Sequence, residues 1–250
     1  MDKPKLKSEI KSFIEEKLDI SIRTQRLKKE FEKDKHIFYI SLFDEESAFK
    51  AKVVSSVVTW IGQSFYEPCC KMIGEQVGYK VELQKKVLGE CNKEIEQFFN
   101  SIENDINYKP DRENEIKKIK ELTTKGRALE HPDSTVDVYI TTRDNKEILI
   151  DITTVKNNKK SFRTLKTKTL RWTAMRLSQD KTIDVEAFMA IPYNPESNSI
   201  DGTDYERFSE YYDRRDLLVG DELWKKVSNN QIGINELTAL VEEIGQELDL

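Results

Sequence analysis

The amino-acid sequence predicts an α/β fold, in which a small mixed β-sheet is flanked by helices and the N-terminal part is largely helical. Two β-rich runs, residues 135–142 and 147–155, flank the turn Arg143-Asp-Asn-Lys146, a pattern typical of an antiparallel hairpin. A third apolar run, residues 184–192, follows a helical stretch, which predicts a further strand reached by a crossover helix.

The segments before the hairpin carry helical periodicity. Residues 5–33 are predicted to form one long amphipathic helix, because apolar side chains recur at helical spacing among Lys and Glu. Residues 36–43 are expected to form a short strand or an extended arm, and a capped helix then runs to Trp60. Residues 61–75 predict a central helix in which Glu67 is the unusual residue. Glu67 is either a partly exposed helix position or an acid that approaches a site.

The remaining segments are also predicted to be mainly helical. Residues 80–106 and 112–122 precede a loop that Gly126 and Pro132 mark, and the C-terminal part contributes helices at 205–215 and 234–248. The N-terminal helix and the last helix are our candidates for dimer contacts.

Charge is distributed unevenly along the 250 residues. Residues 152–179 contain eight Lys or Arg and no Asp or Glu, and since the whole chain carries −5, the remainder carries −13. This pattern predicts a basic face on an acidic body, which suits the binding of a polyanion on one side.

The cysteines and the N-terminus indicate a cellular compartment. Cys69, Cys70 and Cys91 show no metal-ligand spacing and are expected to be reduced core thiols. The first residues lack the apolar core of a signal peptide, and no run is long enough to span a membrane. We therefore expect a cytoplasmic protein.

Two carboxylates stand inside the predicted hairpin. Asp137 lies in its first strand and Asp151 in its second, where alternation puts Leu149, Asp151 and Thr153 on one face. Buried carboxylates are costly unless they are paired or bind metal. Two of them on adjacent strands, beside a basic segment, predict a divalent-metal site that faces a polyanion.

Asp137 and Asp151 resemble the two acids of the PD-(D/E)XK nuclease pattern. In that pattern an acid ends one strand, and an acid-x-Lys sequence follows about a dozen residues later on the next strand. Later blocks resemble type II restriction endonucleases of the TdeIII-like group, and together the similarity covers roughly residues 50–240. Those blocks are Gly62-Gln-Ser-Phe-Tyr-Glu67, Asp151-Ile-Thr-Thr-Val-Lys-Asn-Asn-Lys159, Leu170-Arg-Trp172, Ala190-Ile-Pro-Tyr-Asn-Pro195 and Leu218-Val-Gly-Asp-Glu-Leu-Trp224.

The resemblance implies a Mg²⁺-dependent, site-specific deoxyribonuclease that cuts double-stranded DNA at a short palindrome as a homodimer. It implies that Asp137, Asp151 and Ile152 hold the metal, with Glu67 or Glu130 in supporting roles. The chain would be one restriction-endonuclease-like domain, comprising a helical part (1–122), a catalytic core (123–195) and a C-terminal helical part (196–250).

Thr153 departs from the pattern, because the Lys expected two residues after the second acid is missing. Lys156 could replace it if the strand bulges or ends after Thr154, or Lys125 could enter from the preceding loop. Alternatively, the chain is an inactive Lys-to-Thr form, or it is a DNA-binding module that keeps the fold without cutting.

Residues expected to contact DNA lie in the loop before the hairpin, in the basic segment and after the third strand. In the basic helix, Phe162, Leu165 and Trp172 are predicted to face the sheet, while Lys168 and the other cations project outward. His131 is expected to contact phosphate rather than act as a base. The predicted DNA contacts are Lys125, Arg127, His131, Asn157, Asn158, Lys159, Lys160, Arg163, Lys166, Arg171, Tyr193 and Asn194.

Overall fold

The computed structural model describes residues 1–34, 37–153 and 159–248. The helices are α1 (Lys3–Leu18), α2 (Ile20–Asp34), α3 (Ile37–Leu42), α4 (Glu45–Trp60), α5 (Tyr66–Gln76), α6 (Lys93–Asn104), α7 (Arg112–Leu122), α8 (Lys159–Gln179), α9 (Asp221–Val227) and α10 (Ile234–Glu247). The strands are β1 (Lys80–Lys86), β2 (Thr135–Thr141), β3 (Glu147–Ile152), β4 (Val185–Ile191) and β5 (Leu217–Val219).

The five strands form one mixed sheet in the order β1-β2-β3-β4-β5. The pairs β1–β2 and β2–β3 are antiparallel, whereas β3–β4 and β4–β5 are parallel. Helix α8 makes the crossover between the parallel strands β3 and β4, as such a connection requires. The predicted α/β class, with a mixed sheet flanked by helices, is confirmed.

Each face of the sheet packs against its own set of helices. Ile148 and Ile150 belong to the core that α1, α5, α9 and α10 cover. Leu149 faces the other way and packs with Trp172 and Met175 of α8. The predicted alternation of β3 is therefore correct, although the strand ends at Ile152 rather than at residue 155.

Helix α8 is buried on nearly all sides, which corrects the prediction of an outward basic face. Phe162, Trp172 and Met175 are buried as predicted. Lys166 and Arg171, expected to project outward, are also buried, at 1% and 7% exposure. A helix that buries Lys166 and Arg171 in this way does not offer a continuous row of cations to a partner.

Several predictions about the N-terminal part are wrong. Residues 5–33 form two helices rather than one, because the chain breaks at Asp19, whose φ is 29°. Within 36–43, Ile37–Leu42 form the helix α3 rather than the expected short strand or extended arm. The start of 80–106 is the edge strand β1, whose pairing with β2 overrides the helix propensity of its Lys, Glu and Gln side chains.

The two ends of the chain pack against each other. Leu6 and Ile10 of α1 share a core with Leu237 and Ile244 of α10, and Lys7 forms ion pairs with two glutamates of α10. The faces of these helices that we considered for dimer contacts are thus partly used within the chain. The predicted helix at 205–215 is reduced to two single-turn 3-10 helices.

Cys69 and Cys70 are buried free thiols, in agreement with the expected reduced state, and Cys91 is half-buried and also free. Over the described ranges, none of the helices combines the length and the apolar character that crossing a membrane demands.

Candidate active site

The two predicted acids face each other where the hairpin ladder ends. The regular β2–β3 register stops at the pair Val138–Ile150. Continuing that register by one residue sets Asp137 across from Asp151, so both carboxylates occupy the same end of the sheet. Asp151 is only 4% exposed. The hairpin therefore brings the two predicted carboxylates together, with Asp151 buried and Asp137 half-buried.

The carboxylate of Asp137 is held by two donors. The backbone N–H of Ile152 donates to Oδ2 at 2.7 Å, and the Gln84 side-chain amide donates to Oδ1 at 3.3 Å. Burial, and then the negative charge of Asp151, raise the pKa of Asp137 to about 7. The paired acids thus favour a state in which one is neutral, or in which a cation lies between them.

Gln84 connects Glu67 to this pair of acids. Its amide nitrogen also donates to Glu67 Oε2 at 2.8 Å, so Glu67 of α5 does approach the site. Gln84 lies within strand β1 and has a φ of 51°. A positive φ is uncommon for residues other than glycine. Strained backbone of this kind is concentrated at functional sites. Sequence reasoning missed Gln84, because nothing in a strand sequence marks a positive φ at a glutamine.

Lys168 supplies a positive charge to the second acid. Its ammonium Nζ lies 2.6 Å from Asp151 Oδ1 and 5.1 Å from the centroid of the Trp172 ring. Lys168 therefore points towards the acids, and its predicted place on the outward face of α8 is wrong. A signal was available, because residues four apart share a helix face and Trp172 was correctly placed towards the sheet.

The oxygen donors here suit a hard divalent cation. Asp137 and Asp151 offer carboxylate oxygens that repel each other and are shielded from water, so a bound cation would relieve their charge. Within a strand the N–H and C=O of one residue point to the same side, so the Ile152 carbonyl faces the side on which its N–H reaches Asp137. In the part of the chain that the structure describes, no cluster of three or more His, Cys, Asp or Glu has metal-binding geometry.

The position of the expected Lys is filled by a buried threonine. Thr153 is 8% exposed and its N–H donates to the Ala190 carbonyl at 2.9 Å, which extends the β3–β4 ladder. Lys156, Asn157 and Asn158 lie outside the described residues. Lys159 and Lys160 form the start of α8.

The loop before β2 runs along α8 rather than over the acids. Gly126 N–H donates to the carbonyl of Ser178 at 3.1 Å, which places the neighbouring Lys125 at the C-terminal end of α8. Residues 168 and 178 are about 15 Å apart along a helix. Lys125 is thus far from Asp151, and its suggested role as the replacement Lys lacks support from this geometry.

Other polar residues of that loop have partners of their own. Arg127 forms an ion pair with Glu90 at 3.2 Å, and Glu130 forms one with Lys86. His131 Nδ1 accepts a hydrogen bond from the backbone N–H of Asp133 at 3.1 Å.

Three α8 cations that we expected to contact DNA, Lys166, Arg171 and Arg163, have partners within the protein. Lys166 lies 2.6 Å from Glu115 and 2.5 Å from Asp216. Arg171 forms an ion pair with Glu96. Arg163 donates to the carbonyl of Glu103 at 3.2 Å. Residues 152–179 contain no Asp or Glu, and the carboxylates that pair with Lys166 and Arg171 lie on other elements of the fold.

The loop after β4 holds two predicted residues in different roles. Tyr193 is 45% exposed and lies near Tyr66, close to the start of α5; burial, and then the neighbouring Tyr193, raise the pKa of Tyr66. Asn194 is buried, donates to the Asp204 carbonyl at 2.7 Å and accepts from the Glu196 N–H at 3.0 Å. Its amide organises the loop and is not displayed to a ligand.

Fold and site together define an α/β protein in which two acids are paired at the end of a β-hairpin, an arrangement typical of nucleases. A sequence model of the type II restriction endonuclease family HinfI matches residues 3–245. The chain therefore belongs to the HinfI family of type II restriction endonucleases. The resemblance drawn from the sequence blocks is confirmed at the level of type II restriction endonucleases.

Two relatives of this chain are named as type II restriction enzymes. The type II restriction enzyme MjaII of Methanocaldococcus jannaschii is 26% identical over 223 residues, which cover 83% of this chain and 59% of MjaII. The type II restriction enzyme HgiCII of Herpetosiphon aurantiacus is 22% identical over 262 residues, which cover 96% of this chain and 92% of HgiCII. The chain thus spans less than two thirds of MjaII. No solved structure matches it.

Proposed function

We propose that the chain is a Mg²⁺-dependent endonuclease that cuts double-stranded DNA at a short palindromic site as a homodimer. The observation that carries the proposal is the pair Asp137 and Asp151 at the end of the hairpin, with the pKa of Asp137 raised to about 7 by desolvation and by its neighbour. Family membership supplies the substrate class, since type II restriction endonucleases act on DNA at specific sites.

Asp137, Asp151 and the Ile152 carbonyl would hold the metal. A divalent cation in such a site polarises a phosphoryl oxygen and lowers the pKa of water. The chain fixes the geometry, because the Ile152 N–H and the Gln84 amide orient the Asp137 carboxylate. Hydrolysis adds the oxygen of water to phosphorus and breaks the bond to the leaving sugar oxygen. The attacking water loses one proton and the leaving oxygen gains one.

Glu67 has a supporting role in this proposal. Through Gln84 it lies one hydrogen bond from Asp137. When a cation occupies the acids, Gln84 can keep both side chains oriented towards it.

The test is digestion of a mixed-sequence plasmid with Mg²⁺, with and without a chelator. We expect discrete fragments that vanish with the chelator and with Asp137→Ala, and that persist with Asp133→Ala, a change to a more exposed acid four residues away. A smear of random products would contradict site specificity.

Thr153 favours a second candidate, a DNA-binding module that keeps the fold without cutting. That candidate predicts retained plasmid binding in a gel-shift assay and no product under any divalent cation. An inactive Lys-to-Thr form predicts cutting only after Thr153→Lys.

A further inference from the structure

We propose that Lys168 is the catalytic lysine of this site, delivered from α8 in place of a lysine at residue 153. The inference rests on the proposed nuclease function and deepens it, by assigning to this chain's own residues the positive charge that the reaction needs.

The residue spacing along β3 matches the residue spacing along α8. Leu149 and Asp151 are two residues apart on β3 and point to the same face, which separates them by about 6.7 Å. Trp172 and Lys168 are four residues apart on α8 and share a face, at about 6 Å. Because Leu149 packs against Trp172, the same antiparallel alignment sets Lys168 over Asp151, as the 2.6 Å contact shows.

Lys168 reaches Asp151 from the same face of the sheet that a lysine at residue 153 would occupy. Thr153 follows Asp151 by two residues, so a lysine at residue 153 would extend to the face that α8 covers. Lys168 reaches Asp151 from that same face. A lysine side chain can therefore place its ammonium group in this region of the site from position 153 or from position 168.

The Lys168 ammonium is both held in place and partly accessible to solvent. Lys168 retains 22% side-chain exposure, whereas Lys166, two residues earlier, retains 1% and is enclosed between two carboxylates. The face of Trp172 also holds the Lys168 ammonium by a cation–π contact. Lys168 is thus fixed at the acids while still open to a phosphate that arrives from solvent.

In the reaction, the Lys168 ammonium donates N–H hydrogen bonds to the attacking water and to a phosphoryl oxygen. It keeps its proton throughout and counters the negative charge that develops on the phosphorus oxygens. Arginine preserves this charge with a different shape, whereas methionine removes it at similar volume.

The experiment compares Lys168→Met, Lys168→Arg, Thr153→Lys and the double variant Thr153→Lys/Lys168→Met with the unmodified chain. Lys117→Met is the matched control, because this lysine is 72% exposed on α7 and pairs with an exposed glutamate, Glu121, at 4.0 Å. Three quantities are measured: plasmid cleavage with Mg²⁺, plasmid affinity with Ca²⁺, and the thermal midpoint with and without Ca²⁺.

We expect Lys168→Met to slow cleavage by about 100-fold or more, the loss seen when one transition-state donor is removed. Lys168→Arg should retain more activity than Lys168→Met. The double variant should recover cleavage, because residue 153 faces the same space. DNA affinity and the Ca²⁺-induced rise in midpoint should persist in Lys168→Met, since the acids are intact.

Several outcomes would overturn the inference. Full cleavage by Lys168→Met would remove Lys168 from the chemistry. Loss of the Ca²⁺ response in Lys168→Met, without recovery in the double variant, would show a structural role instead. If the unmodified chain is inactive and Thr153→Lys is active, the nuclease site stands but Lys168 does not serve it. If both are inactive, the proposed function fails, and the inference with it.

Discussion

Lys166→Met is expected to destabilise the fold strongly, in contrast to the DNA contact that the basic segment suggested. The Lys166 ammonium lies 2.6 Å from Glu115 and 2.5 Å from Asp216, and Lys166 is only 1% exposed. Tyr108 donates to Glu115 at 2.7 Å and Arg112 pairs with Asp216. Removing the ammonium leaves Glu115 buried without a cation.

The magnitude follows from the burial of the network. Removing one partner of a buried ion pair costs about 3–5 kcal/mol, because the remaining charge loses its compensation. For a chain of this size, 1 kcal/mol lowers the midpoint of thermal unfolding by about 2–4 °C. Lys166→Met should therefore lower the midpoint by roughly 6–20 °C. Adding Glu115→Gln should restore part of the loss, since the uncompensated charge is then removed.

The assay is thermal unfolding of the single and double variants, combined with DNA binding at several salt concentrations. A structural Lys166 predicts a lower midpoint, and an unchanged salt dependence of binding at temperatures where the variant is folded. An unchanged midpoint, with a salt slope reduced by about one phosphate contact, would refute this reasoning and restore the DNA contact.

Three further predictions concern the acids and the loop after β4. Asp137→Asn should stabilise the metal-free protein at pH 8, by up to about 4 kcal/mol for a pKa raised from 3.8 to about 7, and have little effect at pH 4. Because the pKa of Asp137 is raised to about 7 in the folded protein, the stability that its neutral form provides below the unfolded-state pKa is lost as pH rises through 7. Equal pH profiles of urea unfolding for Asp137→Asn and the unmodified chain would contradict this. Mg²⁺ should stabilise the unmodified chain by about 2.7 kcal/mol at a hundredfold excess over Kd, and calorimetry should show no such gain in Asp137→Asn. Asn194→Ala should cost about 1–3 kcal/mol, because it leaves buried partners of the Asn194 amide unsatisfied; proteolysis that fails to quicken at residues 193–202 would argue against this role.

The sequence was sufficient where local patterns determine structure. The turn at residues 143–146 and the β-rich runs around it predicted the hairpin, and the hairpin register alone places Asp137 across from Asp151. Alternation along β3 likewise assigned Leu149 and Ile150 to opposite faces. These features depend on neighbours within about 15 residues.

Predictions failed where distant partners decide the outcome. Strand β1 contains residues that favour helix, and only its pairing with β2, some fifty residues later, makes it a strand. The basic character of α8 suggested an exposed face because Glu96, Glu115 and Glu147, which neutralise it, lie elsewhere in the sequence. Lys168 was misplaced although its four-residue spacing from Trp172 carried a local signal.

The hydrogen bond from Ile152 to Asp137 makes one main-chain amide a direct probe of the site. Amide protons in a ladder usually face carbonyls, whose charge does not change, whereas this one faces a carboxylate that gains a proton or a cation. Its nuclear magnetic resonance signal should therefore shift as the site fills, while that of Ile150, one ladder position earlier, should move less. The occupancy of the acids can thus be followed in a single resonance without DNA and without turnover.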